Sequence, residues 1–123
     1  MANNIRLGDI VVDCKDADQL CSFYTGLLGW KRGEFFGNPT AVSEDGSIVF
    51  VFVPEEDYVP PVWPEEDGKQ QKQVHFDFLV PDVAEAVARA EALGAVKAQA
   101  QFGGDAFTTM IDPAGHPLCL CKG

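Results

Sequence analysis

One pattern occurs twice in this chain, and it limits the possible folds more than any single residue does. Asp9 to Asp16 is a step of seven residues, and His75 to Asp82 is a step of seven. After each second aspartate comes a helix-like stretch that closes on two apolar residues and a glycine, "LLG" at 27–29 and "ALG" at 92–94. Each half then carries a turn glycine, Gly46 or Gly115, followed by an apolar run. An internal repeat of this kind outweighs individual assignments, because both copies must satisfy the same packing.

Within each copy the elements follow from periodicity. "IRLGDIVVDC" is a β-branched run, and "DADQLCSFYTGLLGW" places Leu20, Phe23, Tyr24, Leu27 and Leu28 at amphipathic-helix spacing. Asp16 or Asp18 would cap that helix and Gly29 would end it. A strand is expected near 31–36, then a hairpin from "TAVSE" through "DG" to "SIVFVFV". In the second copy "VHFDFLVPD" reads as a strand and "DVAEAVARAEALG" as a helix capped by Asp82 and stopped at Gly94. "AVKAQAQ" is a weak strand, and "AFTTMIDPAGHPLCLCKG" reads as strand, turn and strand. The expected fold is α+β: two βαβββ modules, about 5–53 and 73–121, in a single domain over 1–123. Two such modules packed side by side would share a curved sheet with helices outside and a central concave cup, where a ligand belongs.

The joining segment, 54–72, holds Pro54, Pro60, Pro61 and Pro64 among six acidic residues, which rules out a regular element. Its Tyr58, Val62 and Trp63 can still pack. "FGGDAF" at 102–107 lacks the strand, helix and lysine of a phosphate loop and reads as a flexible connection, as does "GNP" at 37–39.

Nine basic residues against nineteen acidic give a net charge of −10. Such a chain repels phosphate backbones, so nucleic acid is not expected as a partner, and a cationic ligand is favoured over an anionic one. No apolar run approaches a membrane span, and the first residues lack a signal-peptide pattern, so a cytoplasmic protein is expected. Cys14, Cys21, Cys119 and Cys121 have no CxxC spacing and read as reduced thiols.

With "SFYTGLLGW" after the first strand, "DPAGH" before the last, and the paired pattern over nearly the whole chain, the sequence resembles the vicinal oxygen chelate superfamily of glyoxalases, bleomycin-resistance proteins and extradiol dioxygenases. The stretch "YVPPVWPEEDGKQQKQVHFDFLVPD" is similar to its glyoxalase-like domain branch. In metal-dependent members four ligands come from the first and last strands of the two modules. The resemblance puts those positions at Asp9, His75, Cys119 and, four residues past Gly46, Phe50. Phenylalanine cannot ligate, so at most Asp9, His75 and Cys119 remain. The expected cofactor is therefore none, or one divalent metal ion on those three groups.

Asp9, Asp13, Trp63, His75 and Asp77 are the expected ligand-binding residues. Asp9 and Asp13 share one strand face, while Ile10 and Val12 turn toward the helix. Asp77 shares the face of His75 and could orient its imidazole, or the two could form a plain solvated stripe. Trp30, Phe35 and Phe36 are each core or pocket. His116 in "DPAGH" reads as turn chemistry. Three functions fit: a small-molecule-binding protein of the glyoxalase/bleomycin-resistance type without a complete metal site, a metal-dependent lyase, isomerase or dioxygenase with a depleted Asp/His/Cys site, or an interaction module. The resemblance also implies a homodimer.

Overall fold

The computed structural model describes residues 4–123. Its elements run β1 (Ile10–Cys14), α1 (Ala17–Leu28), β2 (Lys31–Phe35), β3 (Asn38–Val42), β4 (Val49–Pro54), β5 (Phe76–Val80), α2 (Val83–Ala92), β6 (Val96–Lys97), β7 (Phe107–Ile111) and β8 (Pro117–Lys122). They form two four-stranded sheets with the same topology, β1-β4-β3-β2 and β5-β8-β7-β6. In each sheet the first and last strands pair in parallel and the others antiparallel. This is the doubled βαβββ pattern of an α+β fold. The chain divides into two compact units between Glu56 and Asp57, so residues 57–72 of the proline-rich segment belong with the second module, while Pro54 ends β4 of the first.

Both helices start as the sequence dictates. The carboxylate of Asp16 accepts from the Gln19 backbone N–H, and that of Asp82 accepts from Glu85, so each satisfies an orphan donor of the first turn. Gly29 closes α1 in the left-handed conformation, φ 68°. In α2, Leu93 is the cap and Gly94 follows at φ 113°.

The first module has an aromatic core. Strand alternation sends Val12 and Cys14 to the helix side together with Phe50 and Phe52, which meet Tyr24 of α1 at ring distances of 6.0 and 5.8 Å. Phe23 stands edge-on to Tyr24 at 4.9 Å. Trp30, half-buried, packs on Phe50 at 5.2 Å at the edge of this core. Phe35 and Phe36 are exposed, and they meet only edge to face. Phe36 and Gly37, both at positive φ, form the two-residue turn between β2 and β3. The "GNP" stretch is thus a hairpin turn and the start of β3, not a flexible connection. Pro39 is tolerated there because it lies at the strand's beginning.

The second module is built from smaller side chains. Leu118, Leu120 and Met110 are fully buried, and of α2 only Ala90 is. The weak strand is only two residues long, Val96–Lys97. The segment 57–72 is nevertheless fastened to this module. The Tyr58 hydroxyl donates to the Ala114 carbonyl at 2.7 Å and lies 3.2 Å from His116 Nε2. Pro60 lies so close over Gly115 that a Cβ there would come within 2.6 Å of it. His116 is therefore part of a structural latch.

"FGGDAF" is also a packed turn rather than a loose connection. A Cβ on Gly103 would fall 2.5 Å from the Phe107 carbonyl, and the Ala106 N–H bonds back to Gly103.

Candidate functional site

The chemistry of the second module gathers on the face of its sheet opposite the helix. His75 immediately precedes β5. Alternation places His75, Asp77 and Leu79 on one side of that strand, with half-buried Phe76, Phe78 and Val80 on the other. The parallel register sets Asp77 beside Cys119 of β8, and the antiparallel register sets Cys119 beside Thr109 of β7. A polar row, Asp77–Cys119–Thr109, thus crosses three strands.

Distances confirm the row. His75 Nε2 lies 3.2 Å from Asp77 Oδ1, both groups being exposed to solvent. Thr109 Oγ1 lies 3.4 Å from Cys119 Sγ. The donor atoms of His75, Asp77 and Cys119 all lie within 4.8 Å of one another, the one such metal-competent group among the described residues. Burial pushes the Cys119 thiol above its ordinary pKa; the Thr109 hydroxyl opposes the rise and the Asp77 carboxylate adds to it. Cys121, two residues on along the same face, is also raised, by burial and then by Asp77. Both thiols are therefore protonated near neutral pH.

Thr109 is held from behind by a side chain that sequence reasoning overlooked. Gln101 donates its amide to the carbonyls of Ala98 and Thr109, and its own oxygen accepts from the Thr109 N–H at 2.8 Å. Its neighbours Ala100 and Phe102 hold Trp63. The indole N–H points at the Ala100 carbonyl at 3.4 Å, and the Phe102 ring stands edge-on at 5.9 Å. Gln101, Thr109, Cys119, Asp77 and His75 thus form one set within the second module, and Trp63 packs on the two residues that flank Gln101.

Asp9 and Asp13 lie in the first module. Asp9 is half-buried just before β1 and Asp13 is exposed on it, on the same side as Val11. Phe50 requires a correction. It pairs with Ile10 and points into the helix-side core, 3% exposed, whereas Val51 pairs with Val11 as Cys119 pairs with Asp77. The first-module counterpart of Cys119 is Val51, and that of Thr109 is Thr40, which pairs with Val51. The displacement by one arises because β4 begins three residues after Gly46 while β8 begins two after Gly115. Like phenylalanine, valine offers no ligand atom.

The model of the glyoxalase-like domain family matches residues 9–121. The chain belongs to that family. Its place in the vicinal oxygen chelate superfamily fits the solved structures that share this fold. A hypothetical protein, SA1046, from S. aureus superposes with a TM-score of 0.69 at 15% identity, over 98% of this chain and 100% of that one. The fosfomycin resistance protein FosX from Listeria monocytogenes gives 0.68 at 14%, over 97% and 93%. A lactoylglutathione lyase from Agrobacterium tumefaciens gives 0.59 at 18%, over 96% and 93%. No curated protein sequence matches significantly. Among the described residues, no helix is long and apolar enough to cross a membrane.

A metal implied by the superfamily can be tested against the donors present. Imidazole, carboxylate and thiol form a set that zinc or iron accepts, and the three groups converge closely enough to fit. The carboxylate that joins His75 and Cys119 in the second module is Asp77.

Proposed function

We propose that this glyoxalase-like protein binds a small organic cation on the sheet face carrying His75, Asp77 and Cys119, and that it does so without a complete metal site. One observation carries the reading. Where the resemblance implies a metal-binding carboxylate stands the buried thiol of Cys119, held above its ordinary pKa and bonded to Thr109. Its first-module counterpart, Val51, offers nothing. What faces solvent beside that thiol is an anion, Asp77, with an imidazole 3.2 Å away. The net charge of −10 favours the same class of ligand.

The test is thermal stabilisation in the presence of chelator by small organic cations and by their neutral and anionic isosteres. A ligand at a hundredfold excess over its Kd stabilises by about 2.7 kcal/mol. The cations should stabilise, and His75→Ala and Asp77→Asn should each weaken the effect. A preference for anions, or stabilisation only after metal is added, would sink the reading. The family's resemblance also leads us to propose a homodimer, which a sedimentation experiment at micromolar concentration would disprove by showing only monomer.

A second reading is favoured by the convergence of three donors within 4.8 Å. A divalent ion held by His75, Asp77 and Cys119 would supply a Lewis acid toward a ligand oxygen. The protein would then be a lyase, isomerase or dioxygenase of this superfamily. Elemental analysis of protein purified without chelator decides the point. About one metal per chain, lost in both His75→Ala and Cys119→Ser, supports this reading. Metal absent from wild type, with no stabilisation on adding zinc or iron, removes it.

A further inference from the structure

Trp63 is half-buried, and its ring is already engaged. The Lys72 ammonium sits 4.9 Å from the ring centroid. The same ammonium is ion-paired with the Glu65 carboxylate, and the Lys72 side chain is only 18% exposed. An aromatic face and a carboxylate converging on one ammonium are the two elements of an organic-cation site. The ring is fixed in advance by its N–H toward Ala100 and by the Phe102 edge. The backbone that carries the site is closed by the Val62 N–H bonding to the Gln70 carbonyl.

We infer that Trp63 and Glu65 form a subsite for a methylated or quaternary ammonium group, and that Lys72 is its built-in competitor. The inference rests on the proposed binding of an organic cation and names the group that would recognise it. This subsite and the polar row lie in the same module and on neighbouring stretches of chain. Lys72 stands three residues before His75 on the segment that leads into β5. Gln101, between the two residues that hold Trp63, pins Thr109 beside Cys119. An ammonium arriving at Trp63 must displace Lys72, so the wild-type protein should show weakened affinity for simple cations. A ligand with further groups for His75 and Asp77 would offset that competition.

The probe is tetramethylammonium chloride, with sodium chloride and tert-butanol as charge and shape controls. Its binding is followed by Trp63 fluorescence in a Trp30→Phe background. Lys72→Ala should bind the probe about tenfold more tightly than wild type, because the competing cation–π contact is gone. Lys72→Arg keeps a cation over the ring and should bind like wild type, which also guards against misfolding of the alanine variant. Adding Glu65→Gln to Lys72→Ala should reverse most of the gain. Equal affinity in wild type and Lys72→Ala, or a gain that Glu65→Gln leaves intact, overturns the inference. Cation binding that depends on His75 and Asp77 while Trp63 fluorescence stays silent also overturns it, yet leaves the proposed function standing. Failure of every cation to stabilise the protein removes the proposed function itself.

Discussion

The two modules share a topology and a register, but they distribute their side chains differently. The first spends its large residues on the helix side, where Phe23, Tyr24, Phe50 and Phe52 are 3% exposed or less. On the face opposite its helix, Val11, Val51 and Thr40 occupy one row. In the second module the same row is Asp77, Cys119 and Thr109. Its helix buries only Ala90, and its Phe76 and Phe78 are half-buried. After a duplication of pattern, one copy is the better-packed scaffold and the other carries the polar groups. Chemistry is easier to place in the module where less of the packing depends on each side chain.

The largest test of that contrast is a pair of core truncations. Phe52→Ala removes a ring with no exposure and should cost about 3–5 kcal/mol in chemical denaturation. Phe78→Ala, at a half-buried ring in the second module, should cost clearly less. Equal losses would mean that the aromatic core of the first module is no more important than the thinner packing of the second.

Next in size is the support behind the polar row. Gln101→Ala leaves the Thr109 N–H and the Ala98 carbonyl without their present partner, while the Thr109 carbonyl keeps the Ala98 N–H; an unsatisfied group of this kind costs about 1–3 kcal/mol. The first module's one glutamine, Gln19, lies in the first turn of α1 and not behind its row, so that row should not share this sensitivity. Stability unchanged in Gln101→Ala would show that water replaces the amide at no cost and that the row is not braced.

Much of this contrast was legible beforehand. The seven-residue steps located both strand–helix junctions, and Asp16 and Asp82 are caps because short polar side chains compete for the first-turn N–H groups. The grouping of His75 with Asp77 follows from strand period alone. What was not legible depended on register and on distant contacts. One extra residue after Gly46 turns Phe50 inward and puts Val51 in its place, which glycine counting cannot reveal. Gln101 lies in an alanine-rich stretch without a motif, and Lys72 lies in a polar segment that reads as solvated. Each acquires its role from a partner found by folding: Thr109 for the first, Trp63 for the second.

The latch on the 57–72 segment gives a smaller effect. Tyr58→Phe removes the hydroxyl that donates to the Ala114 carbonyl, worth about 0.5–1.5 kcal/mol. Because the latch lies wholly in the second module, the loss should appear as faster proteolysis between Asp57 and Lys72, while the first module keeps its protection. Unchanged cleavage would show that Pro60 over Gly115 is a sufficient anchor.

The smallest effect concerns reactivity more than stability. Asp77 raises the thiols of both Cys119 and Cys121, after burial as the main cause. Asp77→Asn removes the negative charge that opposes ionisation, so both thiol pKa values should fall and the thiolate fraction at a given pH should rise. Alkylation followed residue by residue at pH 8 should therefore be faster in the variant at Cys121, the more accessible thiol, and less so at Cys119. In the first module, Cys21 is also raised by burial, but its charged neighbours are Arg32 and Asp18, so Asp77→Asn should leave its rate unchanged. That internal reference separates a local charge effect from general loosening, which would accelerate all of them. Slower alkylation of Cys121 would reverse the sign and show that Asp77 acts there as a general base for the thiol rather than as a repelling charge.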